Sequence, residues 1–378
     1  MKQEENKRKT DKPKGKRRMT FFLAELVLTG SALVLFVLFR LRGDLAELFA
    51  VTIGAFFRRG LALLTGWFPF SLFEIILYTA VLYGLFALGL GVYVLIRFLK
   101  RKTVRKRWKR CLVAVPVVLA TVFQLFVATL APCYFRFTAA RHMDLDTRGV
   151  DEDDVFFALR AVSGVINETA PLLEKNEAGE TVGKSLAEVK GDVRRAADAF
   201  GSKHDFFQSK GSDVKFLLCS PVLTYTHISG IYGFFTGEAN VNTNFPHFVV
   251  TATAAHETCH ARGIAPENEC NFLAAVILME SDDPYLRYCG AMAVFDELWS
   301  VCYKIDAGRT GEIIAGTDRT AALDLIAYSR FFEPYRENVA EKAATGANNT
   351  YLKSMGQKAG VASYSQIIQL IAAYYKAD

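Results

Sequence analysis

The sequence predicts a membrane protein, mainly α-helical, in which three transmembrane helices precede a mostly helical α+β domain with a small sheet. Three observations carry that reading. Long apolar runs are confined to the first 135 of 378 residues, lysines and arginines cluster beside them, and the remainder keeps helical periodicity apart from one β-branched and aromatic stretch.

The runs come first. Residues 19–39 (MTFFLAELVLTGSALVLFVLF) carry a single charge, Glu25, while residues 75–96 and 111–135 carry none. Each has the ~20 apolar residues that a helix needs to cross a bilayer core, which predicts spans over about 19–39, 72–96 and 111–135. Residues 1–18 hold nine Lys/Arg against three acids, and residues 97–110 hold nine against none. Lys/Arg-rich segments stay in the cytoplasm. The basic tail 1–18 is therefore expected inside, and three crossings put residues 136–378 outside. The expected location is the cytoplasmic membrane, multi-pass, with the bilayer as a partner. The first run is too long for a cleaved signal peptide and reads as an uncleaved anchor. The linker 40–71, with Leu45, Leu48, Phe49 and Trp67, is expected to lie along the outer membrane face.

The net charge of +6 comes from the two basic segments. Residues 136–378 hold 23 Lys/Arg against 32 Asp/Glu, so they carry −9 and offer no basic patch for nucleic acid. Seven cysteines at 111, 133, 219, 259, 270, 289 and 302 form no paired CxxC units and no disulfide framework. Buried free thiols are the expectation.

Within the exported part, DEDDVFFALRAVSGVINETAPLL from Asp151 opens with four acids suited to a helix N-terminus, and KSLAEVKGDVRRAADAFG is a second helix. Residues 214–245 (VKFLLCSPVLTYTHISGIYGFFTGEANVNTNF) read as short strands and turns. Helices resume at His247.

The chemistry gathers in AAHETCHARGIAPENECNF, residues 254–272. His256-Glu257-Thr258-Cys259-His260 fits H-E-x-x-H. Residues four apart share one helix face, so both imidazoles reach the same ion, while Glu257, rotated by about 100°, can hold a water without ligating. Two nitrogen ligands, a carboxylate base and an open position are what zinc hydrolysis requires. Gly263 suits a left-handed helix end, and Pro266 suits the first turn of the next helix. A third ligand must come from Glu267 or Glu269, which point about 200° apart on a helix. Glu267 is explained by the preference for acids in a first turn. Glu269 heads the apolar run Phe272–Met279, where a carboxylate needs a partner, and is the favoured ligand. Cys259 is expected as small buried filler and Arg262 as a salt-bridge partner. Asn271 hydrogen-bonds at the site or satisfies local backbone. His142, His204, His227 and His247 are expected to be structural.

HETCHARGIAPENECNFLA resembles the HExxHxRGxxxExEANFLA block of a bacterial multi-pass membrane family known as domain of unknown function 3810. GFFTGEANVNTNF (233–245) resembles its FTGEANVN segment, and YLKSMGQKAGVASYSQIIQLI (351–371) its YLKxxGxxxGxxSYxxxxxL block. Cys259 and Cys270 stand where alanine is usual. The resemblance implies a zinc peptidase of the gluzincin type with a zincin-like fold and no established substrate, and it implies Glu269, in its E-x-N context, as third ligand. It also implies that the GEANVN stretch forms an edge strand for extended substrate; a structural hairpin is the competing reading.

The expectation is thus a membrane-anchored zinc metallopeptidase acting on peptides or proteins. His256, His260 and Glu269 would hold Zn2+, Glu257 would serve as base, and Tyr232 or Tyr364 would stabilise the oxyanion. The alternatives are a non-catalytic zinc-binding membrane scaffold or sensor, and a zinc-dependent cell-wall amidase.

Overall fold

Among the described residues, five helices come first: α1 (Lys14–Leu41), α2 (Gly43–Val51), α3 (Ile53–Gly66), α4 (Leu72–Leu99) and α5 (Lys106–Thr129). The structure, a computed structural model, describes residues 14–100, 106–207, 211, 213–357 and 366–377. Among the described residues, three stretches are long and apolar enough to cross a membrane, Met19–Leu41, Gly43–Gly66 and Leu72–Leu99, and Ala114–Thr129 of α5 is a shorter apolar helix. The first and last of the three are the runs expected over 19–39 and 72–96. The third expected run, 111–135, is not one helix. The chain turns after Thr129 into the short helix α6 (Ala131–Phe135) with Pro132 in its first turn. Proline lacks the N–H that would have continued the ladder, but suits a helix start.

The segment expected as a linker is helical throughout. α2 and α3 meet at Thr52, whose φ of −107° and ψ of −90° lie outside the helical region. Arg58 Nη2 donates to the Ala50 carbonyl at 2.9 Å. Eight residues of straight helix cover ~12 Å, more than a guanidinium can span, so the bond records a bend. Ala55, Arg58, Ala62 and Thr65 line the buried face of α3, while Phe56, Leu63, Leu64 and Trp67 are exposed. Of this stretch 28% is buried inside the protein, against 6% for each of the other two. Both of its flanks touch the same folded unit. Arg40 Nη1 donates to the Ser354 carbonyl at 3.4 Å, and the Glu238 carboxylate accepts the Leu72 and Phe73 amides at 3.1 and 2.6 Å. The segment leaves that unit and returns to it.

The rest of the chain runs α7 (Ala139–His142), α8 (Glu152–Thr169), α9 (Leu186–Lys203), β1 (Lys215–Phe216), α10 (Ser220–Thr224), β2 (Gly230–Gly233), β3 (Glu238–Val241), α11 (His247–Ala261), α12 (Glu267–Met279), α13 (Pro284–Ile305), α14 (Ala307–Ala315), α15 (Arg319–Phe332), α16 (Val339–Ser354) and α17 (Ile367–Ala377). Capping boxes start α8, with Asp151 and Asp154, and α9, with Ser185 and Glu188. Each satisfies two amides that the first helical turn would otherwise leave unbonded. α8, α9, α11, α12, α13 and α17 share one core, with Phe156, Phe200, Phe272, Tyr288 and Phe295 fully buried.

The sheet has the order β1-β3-β2. β1 runs parallel to β3 (Lys215 opposite Asn240), and β2 runs antiparallel to it (Tyr232 opposite Ala239). β3 is buried along its whole length and joins the domain to α4. Ser71 Oγ donates to Asn240 Oδ1 at 2.7 Å, and the Glu238 carboxylate, at the positive end of α4, also takes the Lys215 ammonium. A buried carboxylate is tolerated because charge and hydrogen bonds are both satisfied.

Candidate metal centre

α11 carries His256, Glu257 and His260, and α12 lies against it after a five-residue turn. Gly263 makes that turn with φ +92°, a conformation that side chains with a Cβ seldom adopt. A Cβ there would also lie 2.4 Å from Arg58 Nη2. Arg58 packs under the turn and donates to the Thr129 carbonyl at 2.9 Å, and Arg136 Nη1 donates to the Gly263 carbonyl at 3.0 Å. Arg136 is itself paired with Glu47 at 2.6 Å.

The two imidazoles converge. His256 Nε2 and His260 Nε2 are 3.1 Å apart. The third group beside them is Glu267, with Oε2 3.2 Å from His256 Nε2 and Oε1 3.7 Å from His260 Nε2. Glu269, the favoured third ligand of the sequence, points elsewhere. It is buried, and its Oε2 accepts the Ala139 amide at 3.0 Å. Helical geometry explains the exchange. Glu267 and Asn271 are four apart and share a face, and Asn271 Oδ1 lies 2.6 Å from His256 Nδ1. The corresponding partner of Glu269 is Leu273, in the apolar core. The inference that Glu269 needs a partner was sound, but a backbone amide supplies it.

The donor set fits a tetrahedral cation. His260 Nδ1 faces the Ile264 carbonyl at 2.9 Å, a pure acceptor, so Nδ1 carries a hydrogen and Nε2 is the nitrogen a metal would bind on displacing its proton. Asn271 orients His256 in the same way. Donors about 2.0–2.2 Å from a common tetrahedral centre sit roughly 3.3–3.6 Å from one another, close to the spacings found here. Cys270 Sγ also lies within reach of both rings, all within 4.8 Å, but it lies 3.3 Å from His260 Nδ1, the nitrogen already committed to Ile264. Burial holds its thiol well above its ordinary value, with neighbouring carboxylates adding to the effect. Glu267 is therefore the better third donor.

Electrostatics concentrate here. Burial favours the neutral acid at Glu267, but the two imidazoles override it and hold the carboxylate far below its ordinary range. Burial opposes charge on His260 as well, yet Glu267 raises it to about 9. Glu257 is raised to about 7, by burial first and by the Glu267 charge last. Its Oε2 is buried with no hydrogen-bond partner among the described residues. Its Oε1 fits only because residue 230 is glycine, where a Cβ would lie 2.5 Å away. Glu269 is raised to about 7 by burial.

Of the expected oxyanion donors, Tyr364 lies outside the described residues. Tyr232 stacks on His260 with ring centroids 6.3 Å apart, and its buried hydroxyl has no hydrogen-bond partner among the described residues. Sequence reasoning missed Tyr351. Its ring meets Tyr134 edge-on at 5.9 Å, and its phenol is pushed up to about 12 by burial, with the Glu267 charge contributing. The signal was its place at the head of the YLK block. GEANVN is not an edge strand either. β3 is the centre of the sheet, so its backbone is already paired, and the hairpin reading holds. Cys259 is buried filler, and Arg262 pairs with Asp198 at 2.5 Å. His247 bonds Thr181 and Tyr285, and His227 bonds the Tyr335 carbonyl. Cys133, Cys219, Cys259, Cys270, Cys289 and Cys302 are free thiols.

Among the described residues, helices long and apolar enough to cross a membrane adjoin a largely buried cluster of two histidines and one carboxylate. The chain belongs to the family described as Protein of unknown function (DUF3810), whose model matches residues 50–372. No curated protein and no solved structure matches it.

Proposed function

We propose that the protein is a membrane-anchored zinc-dependent peptidase with a zincin-like catalytic unit, in which His256, His260 and Glu267 hold the metal. The observation that carries this reading is the convergence of three lone-pair donors at 3.1–3.7 Å, beside a buried glutamate with an unpartnered oxygen. A zinc ion in that cluster would supply Lewis acidity, which acidifies water and polarises a carbonyl.

The chain's own groups do the rest. Asn271 and the Ile264 carbonyl fix the imidazole tautomers. Glu257 is not part of the donor triangle and is free to take a proton from the attacking water and return it to the leaving amine. Its poise near neutrality suits that double role. The Tyr351 phenol, protonated at neutral pH and in the field of Glu267, would donate to a carbonyl oxygen as it gains charge. The sheet supports the catalytic helix through β2 and Gly230 rather than presenting β3 to substrate.

Sidedness follows from the basic segments. Residues 1–18 and 97–110 remain cytoplasmic, and α2–α3 returns to its starting side. α1, α4 and α5 then cross, which places the catalytic unit outside the cytoplasm.

The test is zinc content and peptide hydrolysis of the purified full chain beside Glu257→Gln and Glu267→Ala. We expect one zinc per chain in wild type and in Glu257→Gln, hydrolysis only in wild type, and loss of metal in Glu267→Ala. Zinc without hydrolysis of any peptide library would favour a scaffold or sensor. Turnover confined to peptidoglycan fragments would favour an amidase.

A further inference from the structure

The metal-binding turn is packed into the ends of the membrane helices. Ala265, two residues before Glu267, is fully buried in one cluster with Ala32 and Phe39 of α1, Ala46 and Ala50 of α2, and Phe126, Val127 and Leu130 at the end of α5. On the other flank of the site, Tyr351 lies against Phe126, ring centroids 6.5 Å apart. Phe126 is three residues from the end of the apolar stretch Ala114–Thr129, a rise of only ~4.5 Å. Beneath Gly263 lies Arg58 of α3, and the far side of that helix exposes Phe56, Leu63 and Leu64, with Trp67 87% exposed at its end. Like the exposed apolar residues of α1 and α4, this face suits contact with lipid, and tryptophan favours the bilayer interface.

The cluster therefore sits about one helix diameter, ~10–12 Å, from apolar surface that faces lipid. A folded soluble protein of 100 residues has a radius of gyration near ~13 Å and would collide with the bilayer before its backbone reached the site. An extended segment emerging from the membrane covers the same distance in about three or four residues at ~3.3 Å each.

We propose that the substrate is itself anchored in the membrane, and that the protein cuts its extended juxtamembrane segment within about ten residues of the bilayer. This rests on the peptidase reading. It names the substrate class of the same site.

The test uses the full chain, loaded with zinc, in phosphatidylethanolamine/phosphatidylglycerol vesicles. A degenerate peptide library is offered in three forms: free in solution, joined by a 5-residue Gly/Ser spacer to an inert Leu/Ala transmembrane helix, or joined to that helix by a 40-residue spacer. Products are mapped by mass spectrometry against a Glu257→Gln control. Both anchored forms share the vesicle with the enzyme, so the comparison between them isolates distance from mere co-localisation. Effective concentration falls roughly as the −3/2 power of tether length, which gives an expected ~20-fold slower cleavage with the longer spacer. Cuts in the short-spacer form should cluster beside the helix. Equal cleavage of free and anchored forms, or no dependence on spacer length, would overturn the substrate class and leave the peptidase reading standing. No cleavage of any form would overturn the peptidase reading, and this inference with it.

Discussion

Glu267 and Glu269 are two residues apart and both acidic, the first partly buried and the second buried, and they should respond in opposite ways to loss of the side chain. Glu267 lies 3.2 and 3.7 Å from the two imidazole nitrogens, whereas Glu269 holds the Ala139 amide. Zinc held in a protein site contributes about 10–16 kcal/mol. Shared among four donors, this is about 2.5–4 kcal/mol for one carboxylate, or roughly 60- to 700-fold in affinity at about 1.4 kcal/mol per decade. Glu267→Ala should therefore weaken zinc by that factor in a chelator competition. Glu269→Ala instead leaves the Ala139 amide buried without an acceptor, at a cost of about 1–3 kcal/mol in stability, and should keep zinc within a few-fold of wild type. Circular dichroism melts of the metal-free proteins separate the two effects. If Glu269→Ala releases zinc while Glu267→Ala retains it, the assignment is wrong.

Other expectations follow from the same geometry. Asn271→Ala should cost about 10–100-fold in zinc affinity, read in the same competition, because it frees His256 to rotate. Arg136→Ala strips the guanidinium from Glu47, which keeps the Phe137 amide and His142 at a largely buried site, and should destabilise the full chain in detergent by up to about 3–5 kcal/mol; a melt unchanged within error would show that the clamp on Gly263 is idle. His247 is held below its ordinary 6.5, by burial first, so its folded form stays neutral where the unfolded chain takes up a proton. Its contribution should be present above pH 6.5 and fade as pH falls toward the lowered value, and His247→Gln should flatten that part of the stability profile. A tag after residue 378 should be accessible from outside intact spheroplasts; access only after lysis would mean that Gly43–Gly66 crosses the membrane.

What could be read from the sequence was whatever local pattern decides. The long apolar runs gave α1 and α4, because twenty nearly uncharged residues have few other uses. The i, i+4 spacing of His256 and His260 brought their nitrogens together, and Gly263 marked the turn with its positive φ. The choice between Glu267 and Glu269 was also open to sequence reasoning, since Asn271 shares a face with Glu267 and Leu273 with Glu269. It was missed because need for a partner was taken to mean need for a metal. Other features depend on distant segments and leave no local trace. Arg58 and Arg136 clamp the turn from helices more than a hundred residues away, and Tyr351 arrives from α16. α2–α3 resembled a linker because its small buried positions, Ala55 and Ala62, do not form an apolar stripe.

X-ray absorption on the zinc-loaded full chain addresses the central claim most directly. The account predicts one zinc per chain with nitrogen and oxygen neighbours at about 2.0–2.1 Å and no sulfur. A sulfur shell near about 2.3 Å would put Cys270 in place of Glu267, and a chain that takes up no zinc would contradict the account altogether.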